Sequence, residues 1–498
     1  MKASSSLLLF LVSIFLAVTG CKEKDNSVAV TDVTLDQSEY SLKRGNVFTL
    51  TASIEPSEAT NREVTWKSDH PEIAGVDENG LVSALSEGVA TITVITNDGN
   101  QTATCKVTVE NRYDSYNGLV MAGYQGWFTA EGDGLGRGWF HYGFSPGGAS
   151  IDFFPDMSEY TKIYKTPYKM PDGLDAYAFS SYDEESVDLH FRWMKEYGID
   201  GAFMVRFVSQ IAAPIGIMHF NKVLESALKA ARKYDVAISV LYDMSSCTPE
   251  NFHYVENDWK NLQTLFALAD REQNPTYLWH NNNPLLCLWG VSFKGRHPFA
   301  ADLHEMIIRL KQDNNVSIML GVPYFWRTLT QDAESDPALH TLIKSDVDIV
   351  QPWAVGRYSN DNYASMSIEM QMDILWCRDN KVDYVPLVFP GFSWANLQNN
   401  GLYDQFPRMR GDFLWRQVVG AKEAGATALF VAMFDEMDEG TAIFKCAETG
   451  YLPIIPAEGK RFVGIERGLG TDYYLWLTGE AAKWFHGNTG YSATKPQR

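Results

Sequence analysis

Along residues 28–111 apolar and polar side chains alternate almost one for one, as in Phe48-Thr49-Leu50-Thr51-Ala52, Ala90-Thr91-Ile92-Thr93-Val94 and Ala103-Thr104-Cys105-Lys106-Val107-Thr108-Val109. A period of two places every second side chain on one face, the pattern of a half-buried strand. Glu78-Asn79-Gly80 and Asn97-Asp98-Gly99 punctuate these runs as turns. Short strands broken at such intervals predict a β-sandwich.

After a polar connection at residues 111–117 the pattern changes. Apolar runs now appear without alternation, at Leu119–Ala122, Ala202–Val205, Val236–Leu241, Leu285–Trp289, Ile318–Val322, Val347–Val350, Tyr384–Val388 and Ala428–Met433. Such runs suit strands covered on both faces of a parallel sheet. Helical spacing lies between several of them: Val187, His190, Phe191 and Met194 share a face, as do Val223, Leu224, Ala227 and Leu228, and Trp415, Val418, Val419 and Lys422. Eight strand–helix alternations predict an α/β domain of the (β/α)8 TIM barrel type with long loops, following a small all-β sandwich. A doubly wound open sheet is the runner-up. Its nucleotide-binding form is disfavoured, because no Gly-x-Gly-x-x-Gly follows the first strand.

The sandwich segment carries Val64-Thr65-Trp66-Lys67-Ser68, then Ile73-Ala74-Gly75-Val76, Gly80-Leu81-Val82 and Gly88-Val89-Ala90-Thr91-Ile92. This series resembles the bacterial Ig-like group 2 domain, implying a spacer for the domain that follows. At the start, Lys2, the apolar stretch Leu7–Val18 and Val18-Thr19-Gly20-Cys21 read as an export address. The last four resemble the lipobox of bacterial lipoproteins, which implies lipidation at Cys21. The charged residues after it resemble surface-export signals of Bacteroidetes lipoproteins. The expected organisation is a signal peptide over 1–21, a linker over 22–27, the Ig-like domain over 28–111 and the barrel over 112–498. The expected location is the cell envelope, at the outer membrane and surface-exposed, with a monomer held to the membrane through Cys21.

Composition sharpens this picture. A net charge of −20 argues against a nucleic-acid partner, which calls for a basic patch. Fourteen Trp, 24 Tyr and 27 Phe allow a large core with rings left over to line a cleft. Cys105, Cys247, Cys287, Cys377 and Cys446 are widely spaced, giving neither a disulfide framework nor a zinc signature, so buried free thiols are expected. No metal and no cofactor is expected.

In a barrel the chemistry gathers at the carboxyl ends of the strands. That rule nominates Tyr124, Trp127, Tyr242, Asp243, Trp289, Trp326, Trp353 and Trp394 as substrate-binding residues. It also points to Phe434-Asp435-Glu436-Met437-Asp438-Glu439-Gly440-Thr441, in which four carboxylates directly follow the last apolar run. Crowded carboxylates are either solvated or made to raise one another's pKa. Glycoside hydrolysis needs that asymmetry, one carboxyl protonated and one ionised. A turn at Gly440 can aim Glu436 and Glu439 into one cleft. A solvated acidic loop, a calcium site or the start of a helix would account for the same run. Asp243 is an alternative partner for Glu436, and His141, beside Trp139 and Tyr142, is a candidate substrate contact.

The acidic run resembles the catalytic motif of glycoside hydrolase family 99, the endo-α-mannosidases and endo-α-mannanases, and residues 117–486 loosely resemble the family 71/99-like group. The resemblance implies that Glu436 acts as general base on the sugar 2-hydroxyl, giving a 1,2-anhydro intermediate with retention, and that Glu439 acts as general acid and then base. Met437 and Asp438 depart from the aromatic residue and histidine usual between the two glutamates. Asp435 stands in place of a common Asn, and Trp289-Gly290 in place of Tyr-Asp-Ser. The expected function is a retaining glycoside hydrolase acting on an oligo- or polysaccharide, α-mannoside-like by resemblance. A non-catalytic glycan-binding surface lipoprotein and an adhesin built on the Ig-like module are the alternatives.

Overall fold

The computed structural model describes residues 27–488 and 490–498. Cys21 and the export address lie outside the described residues. The chain divides into two compact units, one ending at Arg112 and the other running from Tyr113 to Arg498.

The first unit is all β. Glu39–Lys43, Thr102–Glu110, Gly88–Thr96 and Val64–Ser68 form a four-stranded sheet, and Val47–Thr49, Leu81–Ala84 and Ala74–Val76 a three-stranded one. The one-for-one alternation is realised along Gly88–Thr96, where Ala90, Ile92 and Val94 point inward and their neighbours outward. They pack with Leu50, Val82, Cys105 and Val107 into the sandwich core.

The second unit is a ring of parallel strands. In chain order these are Val120–Tyr124, Gly201–Phe207, Ala237–Asp243, Asn283–Trp289, Ser317–Pro323, Ile349–Trp353, a seventh strand in two pieces, and Leu429–Val431. The seventh consists of Asp383–Tyr384, paired with the sixth strand, and Leu387–Val388, paired with the eighth. Pro386, which has no N–H to donate, falls in the break. The eighth strand pairs with the first, which completes the ring. Every run read as a doubly covered strand coincides wholly or in part with a strand of the ring, the seventh being broken at Pro386.

The alternation of each strand splits the apolar residues into two layers. Met121, Phe203, Val205, Leu241, Cys287, Met319, Ile349 and Phe430 fill the interior. Val120, Ala122, Met204, Val240, Leu286, Leu320 and Val431 face outward. There they meet helices such as Glu184–Tyr197, Pro214–Tyr234 and Asp412–Glu423, whose buried faces are the ones the helical spacing marks, except that Lys422 is only partly buried. All five described cysteines are buried free thiols.

This layering corrects three site assignments. Tyr124, Tyr242 and Trp326 belong to the outer layer, not to the mouth of the ring. Tyr124 is fully buried with its hydroxyl 2.8 Å from His190 Nδ1. Tyr242 donates to Asp258 Oδ2 at 2.7 Å, behind the third strand. Trp326 donates through Nε1 to Asp373 at 2.9 Å, on the helix that follows the sixth strand. Tyr124 and Tyr242 sit one residue out of phase with inward neighbours such as Leu241 and Asp243.

Candidate active site

The carboxyl ends of the strands open into a cavity of about 710 Å³. Trp127, Asp243, Trp289, Trp353, Trp394, Glu436 and Glu439 all line it. Two interior glycines make room at its base. A Cβ at Gly123 would stand 2.2 Å from the Met433 side chain, and one at Gly321 would stand 2.2 Å from Cδ1 of Trp289. Trp289 and Trp353 meet edge to face, with centroids 4.8 Å apart.

The acidic run forms a tight turn that is neither a helix nor a solvated loop. Phe434 N donates to Gly123 O, and Thr441 N to Glu436 O. Gly440 takes φ +64°, and its Cβ position is already occupied by the Ser393 backbone at 2.8 Å. Arg408 clamps the far side of the turn through the Gly440 and Ala442 carbonyls. Asp152 N and Phe153 N, from the long first loop, donate to Met437 O.

Each of the four carboxylates has its own place. Asp435 turns back to the first loop and accepts from Gln125 N at 2.7 Å and Gly126 N at 2.9 Å. Burial still pushes it up to about 7. Glu436 accepts from Gln125 Nε2 at 2.6 Å and Thr441 Oγ1 at 2.7 Å. Asp438 turns away to His141 Nδ1, 3.0 Å from its Oδ2, and its buried Oδ1 has no partner. Glu439 is half-buried, faces the cavity and makes no side-chain hydrogen bond with a described residue.

The electrostatics follow from this placement. Burial raises Glu436 well above the ordinary carboxylate range, and the charges of Glu439 and Asp438 add to it, while its two donors pull the other way. Burial pushes Glu439 up to about 8, with Asp438 and then Asp243 adding to the rise. Asp243, which accepts from Ser245 N at 2.8 Å, is pushed up to about 6 by burial. The pair therefore retains a proton near neutrality. The two donors favour the charged form of Glu436 against its deep burial, and Glu439 has no such donor. Among the described residues no group of three or more His, Cys, Asp or Glu side chains is placed to hold a metal ion.

Two elements of the site, His141 and a set of basic residues, lay beyond the strand-end rule, and a third, Gln125, stood within it at the end of the first strand. Gln125 pairs with both Asp435, through its backbone, and Glu436, through its side chain. His141 stacks on Trp127, with ring centroids 3.6 Å apart and planes at 9°. Lys294, Arg296, His297 and Arg357 line the cavity from loops after the fourth and sixth strands. Gln125 follows Tyr124 directly, so its position was visible in the sequence. The basic residues carried no signal beyond their charge.

Residues 29–107 match the bacterial Ig-like domain (group 2). The barrel has the fold of the family 99 glycoside hydrolases. A solved structure of the endo-α-mannosidase from Bacteroides thetaiotaomicron superposes with a TM-score of 0.53 at 14% identity, covering 74% of this chain and 98% of that one. Two uncharacterized proteins of Clostridium acetobutylicum are 36% identical over 114 residues and 42% identical over 85 residues. These alignments take in 22% and 17% of this chain, and the chain spans 12% and 21% of those relatives' lengths.

Proposed function

We propose that this protein is a retaining glycoside hydrolase acting on an oligo- or polysaccharide. The observation that carries the reading is that Glu436 and Glu439 line one tryptophan-walled cavity, with two hydrogen-bond donors on Glu436 and none on Glu439. Ionised and protonated carboxyls side by side are what glycosidic cleavage requires. Trp289, Trp353, Trp394 and Trp127 supply flat apolar faces for pyranose rings.

By the family 99 resemblance, Glu436 takes the proton of the sugar 2-hydroxyl as that oxygen attacks C1. Glu439 gives its proton to the departing glycosidic oxygen. In the second half Glu439 takes a proton from water, which opens the 1,2-anhydro ring at C1, and Glu436 returns its proton to O2. The fold shared with an endo-α-mannosidase makes α-mannosides the first substrates to try. The export address and Cys21 support an enzyme anchored in the cell envelope, with the Ig-like domain as spacer.

The test is release of reducing sugar from a panel of α-mannans and host and plant glycans, with wild type, Glu436→Gln and Glu439→Gln. Wild type should turn over at least one glycan. Each variant should lose about 10²- to 10⁴-fold in kcat while binding is retained. Glycan binding by wild type with no turnover from pH 5 to 9 would establish the non-catalytic reading instead.

A further inference from the structure

The cavity is not uniformly acidic. In a ring of eight the fourth strand stands across from the eighth, so the loop after the fourth strand, with Lys294, Arg296 and His297, is placed opposite the loop that carries Glu436 and Glu439. Arg357, from the loop after the sixth strand, joins them in lining the cavity.

This basic arc is built into the fold. Phe293 bridges to Ala333, and Lys294 N donates to Asp332 O at 2.8 Å, which fixes one loop against the next. Of the carboxylates on that side, Glu334 accepts from Gly295 N, Asp302 stands near His297, and Asp332 has its charge already used. Its oxygens accept from Tyr324 N and Phe325 N at 3.1 Å each and from Arg357 Nε at 2.5 Å. The Lys294 ammonium and the Arg296 guanidinium make no hydrogen bond or ion pair with any described residue. His297 has its Nδ1 buried without a hydrogen-bond partner, 3.9 Å from Asp302. Lys294 and Arg296 thus present two unpaired positive charges to the cavity, across from its glutamates, where an anionic group on a bound saccharide can meet them. Trp289 closes the fourth strand directly before this loop, so a sugar stacked on its ring brings ring substituents toward the arc.

We propose that Lys294, Arg296, His297 and Arg357 form an anion subsite that receives a carboxylate or sulfate borne by the saccharide, so that the substrate is an acidic glycan. The inference rests on the glycosidase reading of the same cavity and adds the class of sugar to it.

Binding separates the two claims. The full chain carrying Glu439→Gln is titrated calorimetrically with tetragalacturonate, with the sulfated tetrasaccharide of κ-carrageenan and with mannotetraose, at low and high salt. One of the two anionic probes should bind about tenfold or more tighter than mannotetraose, and salt should erode that margin. Preference for the first identifies a carboxylate, and for the second a sulfate. Adding Lys294→Ala with Arg296→Ala should remove most of the margin, and Arg296→Glu alone should reverse it. Both positions are exposed, so circular dichroism should show an unchanged fold. Equal affinity for all three probes, or a margin untouched by the substitutions, overturns the subsite. Turnover of neutral glycans without anion preference would leave the hydrolase standing and remove the subsite. Anion-dependent binding without turnover of any glycan would do the converse.

Discussion

The imidazole of His141 lies against Asp438, 3.0 Å from Nδ1 to Oδ2, while its face rests on Trp127. A carboxylate lodged between two cavity glutamates is thereby turned out of the cavity and fastened to the first loop. Asp438 acts on the glutamates through its charge rather than by contact with substrate.

Asp438→Asn should therefore lower the pKa of Glu439. Burial is the largest cause of its rise to about 8, and Asp438 is the next. Removing a like charge favours the ionised form, so the proton donor is lost at lower pH. The alkaline limb of kcat/KM should move down by about one pH unit. The measurement is the pH profile with an activated substrate, and an unmoved limb would show that the Asp438 charge is not felt.

Gln125→Leu should act on the opposite limb. Gln125 Nε2 donates to Glu436 and stabilises its charged form. Without that donor Glu436 holds its proton more tightly, and the acidic limb should rise by up to about one unit. The companion change Thr441→Val removes the other donor and should shift the limb the same way, since Thr441 Oγ1 bonds the other oxygen.

The strands of the ring were legible because a strand covered on both faces has no choice but a continuous apolar run, and runs such as Ile318–Val322 have few other homes. The turn at Gly440 was legible for a similar reason, the chain needing a positive φ there. The facing of single residues at strand ends was not. Tyr242 and Asp243 are neighbours, yet one bonds Asp258 behind the sheet and the other lines the cavity. Composition gives no phase for that alternation, because both faces of the strand are buried. The pairing of His141 with Asp438 spans 297 positions and left no local trace.

Glu439→Gln should also report on stability. A carboxyl whose folded pKa is raised, here from 4.5 to about 8, favours folding when protonated. That contribution is complete below about pH 4 and is lost as pH rises through about 8. Wild type should thus lose stability from about pH 5 to 8, and the variant should lose less. A difference of about 2 to 4 °C in Tm at pH 9, shrinking toward pH 5, is the expected result of calorimetric melts. Parallel curves would mean that Glu439 ionises freely.

Gly321→Ala tests the seat of Trp289. The added Cβ would fall 2.2 Å from Cδ1 and 2.9 Å from Cα of that residue, and the Cα cannot swing aside. Overpacking of this kind costs about 1–3 kcal/mol. A lowered Tm, altered tryptophan fluorescence and a several-fold higher KM are expected together, and an unchanged KM would detach Trp289 from sugar binding.

The interruption at Pro386 gives the ring a joint. The seventh strand offers a two-residue piece to each neighbour, whereas the second and third strands run side by side for seven residues. A closed hoop yields first where its stitching is shortest, so amide protons at Leu387, Val388 and Val431 should trade with deuterium before those of Val205 or Val240. The wall beside Trp394 and the Glu436 turn is then the side of the vessel that breathes, and a bulky chain could be admitted there without the far wall unlacing.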